Sequence, residues 1–224
     1  MVRSLSLYVL VPVLLFSTLL SGCRSAYYSA MESLGYEKRD ILIDRVEEGR
    51  ELQSEASEQV QSTYDALVAL TGFDGGDLEQ VYRGLERDYE RSEARAEDLR
   101  ASVRAIEEVA RAMFTEWRAE IDQISNPELQ RSSSELLDDT RDRYNELVTV
   151  MQSSVTAMDP VLQAFKDQVL TLKHRLNAQA IEGLSGEVVR LEADVAELIE
   201  QMQASIAEAD EFISSMRSPA VPEA

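Results

Sequence analysis

The 224-residue chain carries 22 Lys plus Arg against 42 Asp plus Glu, a net charge of −20. That balance argues against nucleic acid as a partner, because neutralising phosphates takes a basic patch. It argues equally against adhesion to an anionic membrane by charge alone. With only 9 Gly and 5 Pro, and with Ala, Glu, Leu and Arg abundant, the composition is that of an all-helical protein.

Residues 1–22 read as a secretory signal peptide. Arg3 gives a positive start, Leu5 to Leu20 is almost wholly apolar or small, and small residues close the run. The apolar stretch is short for a retained membrane span. It ends in Leu20-Ser21-Gly22-Cys23, which resembles the lipobox of bacterial lipoproteins, in which the Cys is acylated and becomes the first mature residue. Cys23 is the only Cys in the chain, so no intramolecular disulfide can form, and lipidation with palmitate-type chains is the use left for its thiol. Each buried CH₂ contributes roughly 0.8 kcal/mol, so several acyl chains on Cys23 would hold the protein stably to a bilayer. Arg24, where the sorting pattern of lipoproteins would place Asp for inner-membrane retention, implies the periplasmic face of the outer membrane.

After the anchor the chain reads as one bundle domain over residues 23–217, with a frayed tail at 218–224. A first helix is expected over about 26–71. Its seam positions Leu42, Val46, Ala56, Val60, Leu67 and Leu70 are interrupted by Gly49, Gln53 and Thr63, which predicts a thinner and less buried helix. Gly72-Phe73-Asp74-Gly75-Gly76 then breaks the chain, and Asp77 with Gln80 forms a capping box for the next helix. Asp74 and Asp77 make this turn a poor phosphate site, and no Walker lysine follows.

The second helix, expected over 77–124, is the strongest. Written with Tyr82 at a, its heptads place Tyr82, Tyr89, Ala96, Val103, Ala110, Trp117 and Ile124 at a. Leu78, Leu85, Ser92, Leu99, Ile106, Met113 and Glu120 fall at d. A sustained 3.5-residue period argues a long helix packed on partner helices. From Ile106 onward Val109, Phe114 and Ile121 broaden the stripe, which suits an elongated antiparallel bundle of about four long helices better than a two-stranded coil. Asn126-Pro127 starts a third helix over 127–181, with Pro160 expected to kink it or split it near Met158. Its apolar residues are Leu136, Leu137, Tyr144, Leu147, Met151, Val155, Met158, Val161, Phe165, Val169, Leu172 and Leu176. Gly183-Leu184-Ser185-Gly186 suggests a last break before a helix over 186–216, whose seam is Val188, Leu191, Val195, Leu198, Met202, Ser205, Ala209, Phe212 and Met216.

Chemistry is sparse. The single His, His174, has no Glu three residues before it and no second His to complete a bundle metal site, and Cys23 is consumed by lipid. No nucleophile elbow is present. His174, flanked by Lys173 and Arg175, reads as a surface helix residue, so no catalytic, cofactor-binding or metal-binding residue is expected. Arg83, Arg87, Arg91 and Arg95 form an i, i+4 ridge beside Glu86, Glu90, Glu93 and Glu97. Intrahelical ion pairing accounts for it better than a docking ridge.

Four runs give the mature chain a family likeness. They are 25–32 (SAYYSAME), Lys38-Arg39-Asp40-Ile41-Leu42 with Asp44-Arg45-Val46, Gly76-Asp77-Leu78-Glu79, and Asp167-Gln168-Val169-Leu170 with Leu172-Lys173-His174. Over roughly residues 23–215 the chain resembles a domain-of-unknown-function family of helical Gram-negative lipoproteins. The resemblance implies the address and the helical class and carries no activity. The function expected is a structural or adaptor role in the envelope, with a protein partner. A periplasmic holdase-type chaperone is the alternative, which an exposed apolar surface would favour.

Overall fold

A computed structural model of the protein describes residues 37–72, 77–174 and 178–217, with side chains for all of these except 178–185. The expected signal peptide, Cys23, the start of the first helix and the tail lie outside the described residues. Four α-helices make up the described chain: α1 Lys38–Thr71, α2 Leu78–Ile121, α3 Pro127–His174 and α4 Ala178–Arg217. By contacts the chain divides into two compact units, Met1–Ile41 and Leu42–Ala224. In the first, Glu37 caps the opening turn of α1 by accepting the backbone N–H groups of Asp40 and Ile41. The second is an all-α, four-helix bundle.

Pairs of contacts fix the direction of each helix in that bundle. Glu55 meets Arg95 and, two turns on along α1, Thr63 meets Ser92 farther back on α2, so α1 and α2 are antiparallel. Arg100 pairs with Asp159 while Arg118 pairs with Asp138, which sets α3 antiparallel to α2. Arg50–Asp210 and Glu47–Arg217 set α4 antiparallel to α1. Across the diagonal α1 and α3 run parallel, with Gln53 against Ser154. Up-down-up-down connectivity through short turns is the arrangement that heptad-patterned helices of this length favour.

The heptad seam decides what is buried. On α2 every a and d position from Tyr82 to Met113 is buried, and on α4 so is the whole expected seam from Val188 to Met216. Beyond Met113 the register on α2 drifts. Trp117 is half-buried and Glu120 exposed, while Phe114 and Ile121 take the interior places. A straight helix turns every 3.6 residues rather than 3.5, so a strict heptad rotates off the core by ~20° per repeat unless the bundle supercoils to follow it. The chain leaves α2 at Ile121 rather than Ile124, because Gln123 and Ile124 donate to Glu120 and Ile121 three residues back and tighten the end. Its 44 residues span about 66 Å at about 1.5 Å per residue.

Three further expectations are corrected. α1 is not the thin helix its polar interruptions suggested, since Gly49, Gln53 and Thr63 sit on the seam and are buried with Leu42, Val46, Ala56, Val60, Leu67 and Leu70. On α3 the interior place goes to Ser154, with Val155 half-buried and Leu136 exposed. Ser154 keeps the 3- and 4-residue steps from Met151 to Met158, and geometry outranks polarity there. Finally, α3 ends at His174 and α4 begins at Ala178, so Gly183-Leu184-Ser185-Gly186 lies within a helix. A helical Gly costs only about 1 kcal/mol against Ala, which the long packed seam that follows outweighs. Pro160 stands inside α3 without dividing it.

Two N-caps hold the turns. The Asp77 carboxylate accepts the Gln80 backbone N–H at 3.1 Å. Asn126 Oδ1 accepts from Glu128 and Leu129 at 2.9 and 3.3 Å, with Pro127 as the first helical residue. Each satisfies donors that a helix start leaves free.

Candidate functional site

The residues singled out from sequence do not converge. Cys23 lies outside the described residues. His174 is the exposed last residue of α3, where it and Lys173 face the negative end of the helix dipole. Among the described residues no group of three or more His, Cys, Asp or Glu is placed to hold a metal ion, and no helix is long and apolar enough to cross a membrane.

Three of the four arginines of the ridge on α2 are paired, but with other carboxylates than the row beside it. Arg83 pairs with Glu79 at 2.5 Å, Arg91 with Asp88, and Arg95 with Glu55 of α1 at 2.9 Å as well as with Asp98 at 3.8 Å. Of the expected Glu row, Glu86 serves a different purpose. It accepts the Tyr82 phenol at 2.7 Å and faces Lys173 of α3 at 3.8 Å. Burial, with that hydrogen bond second, pushes the Tyr82 phenol up to about 12. Burial also raises the Tyr89 phenol, which points towards Glu93 but falls outside hydrogen-bond geometry and has no partner.

The α2–α3 face gathers cations at a place the sequence reading passed over. Arg111, Phe114, Thr115, Arg118 and Arg141 line a groove of about 410 Å³. It adjoins a second of about 370 Å³ that shares Arg111, Phe114 and Arg141 and adds Glu107, Tyr144, Asn145 and Val148. The Arg141 guanidinium lies over the Phe114 ring, 5.2 Å from its centroid, a stacking that holds the planar group in place. Phe114 packs edge-on against Tyr144 at 5.5 Å, and Tyr144 against Phe212 of α4 at 6.4 Å. Arg141 is thus anchored to the core through aromatic rings. Arg118 is held by Asp138 at 3.2 Å. Burial and the nearby Glu107 push the Tyr144 phenol up to about 12, against the opposing field of Arg111. The α2 part of the signal was legible: Arg104, Arg111 and Arg118 recur every seven residues on one stripe, with Phe114 between the last two.

Such a constellation has no nucleophile–base pair and no proton relay. Forked guanidinium donors stand beside an aromatic edge, a combination suited to carboxylates. Farther along the same face, a groove of about 470 Å³ includes Tyr89, Glu93, Arg100, Asp159 and Lys166. There Arg100 is already engaged by Asp159 and Glu97.

The model of a family described as "Protein of unknown function (DUF2959)" matches residues 27–216. The chain belongs to the DUF2959 family. No curated protein and no solved structure matches it. The DUF2959 match takes in all four helices to the last residue of α4 but one, so the bundle and its α2–α3 groove both lie within the family's span.

Proposed function

We propose that this DUF2959 protein is a lipid-anchored adaptor of the bacterial envelope that works by contact rather than catalysis. It is acylated on Cys23, held at the periplasmic face of the outer membrane, and presents the Arg111–Arg118–Arg141 groove to an acidic segment of a partner protein. The observation that carries the docking half is this groove, where guanidinium groups are oriented by Phe114 and Asp138 on a chain of net charge −20. The lone Cys behind an apolar leader carries the anchoring half. The adaptor reading is favoured over a holdase because large exposed apolar side chains are few and dispersed. Among the described residues they are Val68, Val81, Leu129, Leu136, Leu170 and Val189, spread over four helices, and client capture needs a contiguous patch.

Two measurements test the reading. Cys23→Ser should abolish labelling by a fatty-acid probe, and equal label on both forms would remove the anchor. A photo-crosslinking residue at Thr115 in intact cells should capture one stoichiometric partner. Arg111→Glu with Arg141→Glu should cut that capture at least about tenfold, since reversing desolvated charge contacts costs several kcal/mol. Undiminished capture would exclude the groove, and suppression of client aggregation without a fixed partner would favour the chaperone.

A further inference from the structure

One level of the bundle core is built differently from the rest. Where the seam residues on either side include Ala56, Leu99, Ile106, Met151, Met158, Met202 and Ala209, this level holds Gln53 on α1, Ser102 on α2, Ser154 on α3 and Ser205 on α4, all buried. The contacts already described place the four within about one helical turn of one another along the bundle, a turn being about 5.4 Å. Gln53 Nε2 donates to Ser154 Oγ at 2.6 Å, and Ser154 Oγ donates to the Met151 carbonyl at 2.9 Å. Ser102 Oγ would lie 3.1 Å from a Cβ added at Gly49, one turn before Gln53 on the same face of α1. The interior apolar cluster stops at this level on every helix. It runs from Ala56 to Leu70 on α1, Tyr82 to Leu99 on α2, Met158 to Leu172 on α3 and Val188 to Met202 on α4.

The belt is incomplete as a hydrogen-bonded set. Gln53 Oε1, Ser102 Oγ and Ser205 Oγ have no partner within the protein. An orphaned buried acceptor or hydroxyl costs about 1–3 kcal/mol, and three at one level of a core is an uncommon concentration. Ser102, Ser154 and Ser205 are also smaller than Leu99, Met151, Met158 and Met202, the buried seam residues next to them. Polar lining with two to four convergent partners and spare volume is what an internal water requires.

We propose that this level is an internal hydration site, in which ordered water bridges Gln53 Oε1 to the Ser102 and Ser205 hydroxyls and completes a polar belt across the bundle. Dry and bridged belts differ in the sign of one measurement. If the hydroxyls are dry, Ser102→Ala and Ser205→Ala each remove an unsatisfied group and raise the urea midpoint of the full chain. If they hold water, each substitution strands the water and Gln53 Oε1, and the midpoint falls. The expected result is a lower midpoint for both. It should be accompanied by the loss of a long-lived water contribution to oxygen-17 relaxation dispersion that the parent chain displays. A midpoint unchanged or raised in both, or a parent chain with no long-lived water that these substitutions remove, would overturn the site.

Discussion

Leu99 is wholly buried at a d position of α2, and the core around it is close-packed, so its side chain cannot be shortened without leaving space. Leu99→Ala should cost about 2–5 kcal/mol by chemical denaturation, and a loss under about 1 kcal/mol would mean the surrounding helices close the cavity. Gly49 is the opposite case. A Cβ there would meet Ile106 Cδ1 and Met151 Cε, both at 3.0 Å, so the position is glycine because two neighbours occupy the room. Tyr144 links residue chemistry to pH. Its folded pKa is raised to about 12, chiefly by burial, from the ordinary value of about 10 in an unfolded chain. Between those values the unfolded state gives up a proton that the folded state keeps. Stability therefore falls as pH rises from about 10 towards about 12. Tyr144→Phe should flatten that slope in melts taken across the alkaline range, and an unaltered slope would assign it to other phenols, Tyr82 first.

At the scale of the helix, α3 continues through Pro160. The ring removes the donor that would meet the Thr156 carbonyl. Thr156 and Pro160 both lie on the exposed side, where water can replace the lost partner. Pro160→Ala should stabilise the protein by about 1–3 kcal/mol, since Ala restores the bond and removes the clash. A lowered midpoint would mean that α3 needs a bend at Pro160 to follow its neighbours. The polar positions act at this scale too. Thr63 Oγ1 and Ser92 Oγ meet at 2.9 Å between α1 and α2, and Gln53 meets Ser154 between α1 and α3. Sliding α1 against α3 by one heptad would keep the apolar stripe aligned yet part Gln53 from Ser154, and sliding α1 against α2 would part Thr63 from Ser92. Pairing of this kind selects one alignment among several of similar apolar burial.

For the whole molecule, the net charge of −20 sets the response to salt. The interhelical ion pairs, among them Arg50–Asp210, Arg95–Glu55 and Arg118–Asp138, involve side chains 35% to 61% exposed. Such pairs contribute at most about 1 kcal/mol each, whereas self-repulsion of the acidic chain acts over all of it. Raising ionic strength from about 0.01 to about 1 M shortens the screening length from about 30 to about 3 Å. It should raise the melting temperature, and a fall would show that the pairs outweigh the repulsion. Mild acidification works in the same direction at Glu208. Burial, then Glu211 and Glu146, raise its carboxyl. A group whose folded pKa is raised binds its proton more tightly in the native state, so stability increases as pH falls through that range.

Much of this protein follows from the sequence by itself. Spacing of apolar residues by threes and fours is a local property, and it settles the helical class, the seam of α4, that of α2 from Tyr82 to Met113, and the turns at Asp77 and Asn126 without reference to any partner. What tertiary structure decided is where spacing and polarity disagree. Gln53 and Thr63 read as interruptions until the opposite helix is known, because each meets a hydroxyl that another helix supplies, Ser154 and Ser92 respectively. The glycines at 183 and 186 read as a break until the long seam that follows is seen to hold them in α4. The guanidinium groove belongs to the same class. Arg111 and Arg118 come from α2 and Arg141 from α3, and no period along one helix reveals which residue of another will lie over Phe114. Periodicity is written in one strand of sequence, whereas the pairing of polar groups is a property of two helices at a fixed alignment.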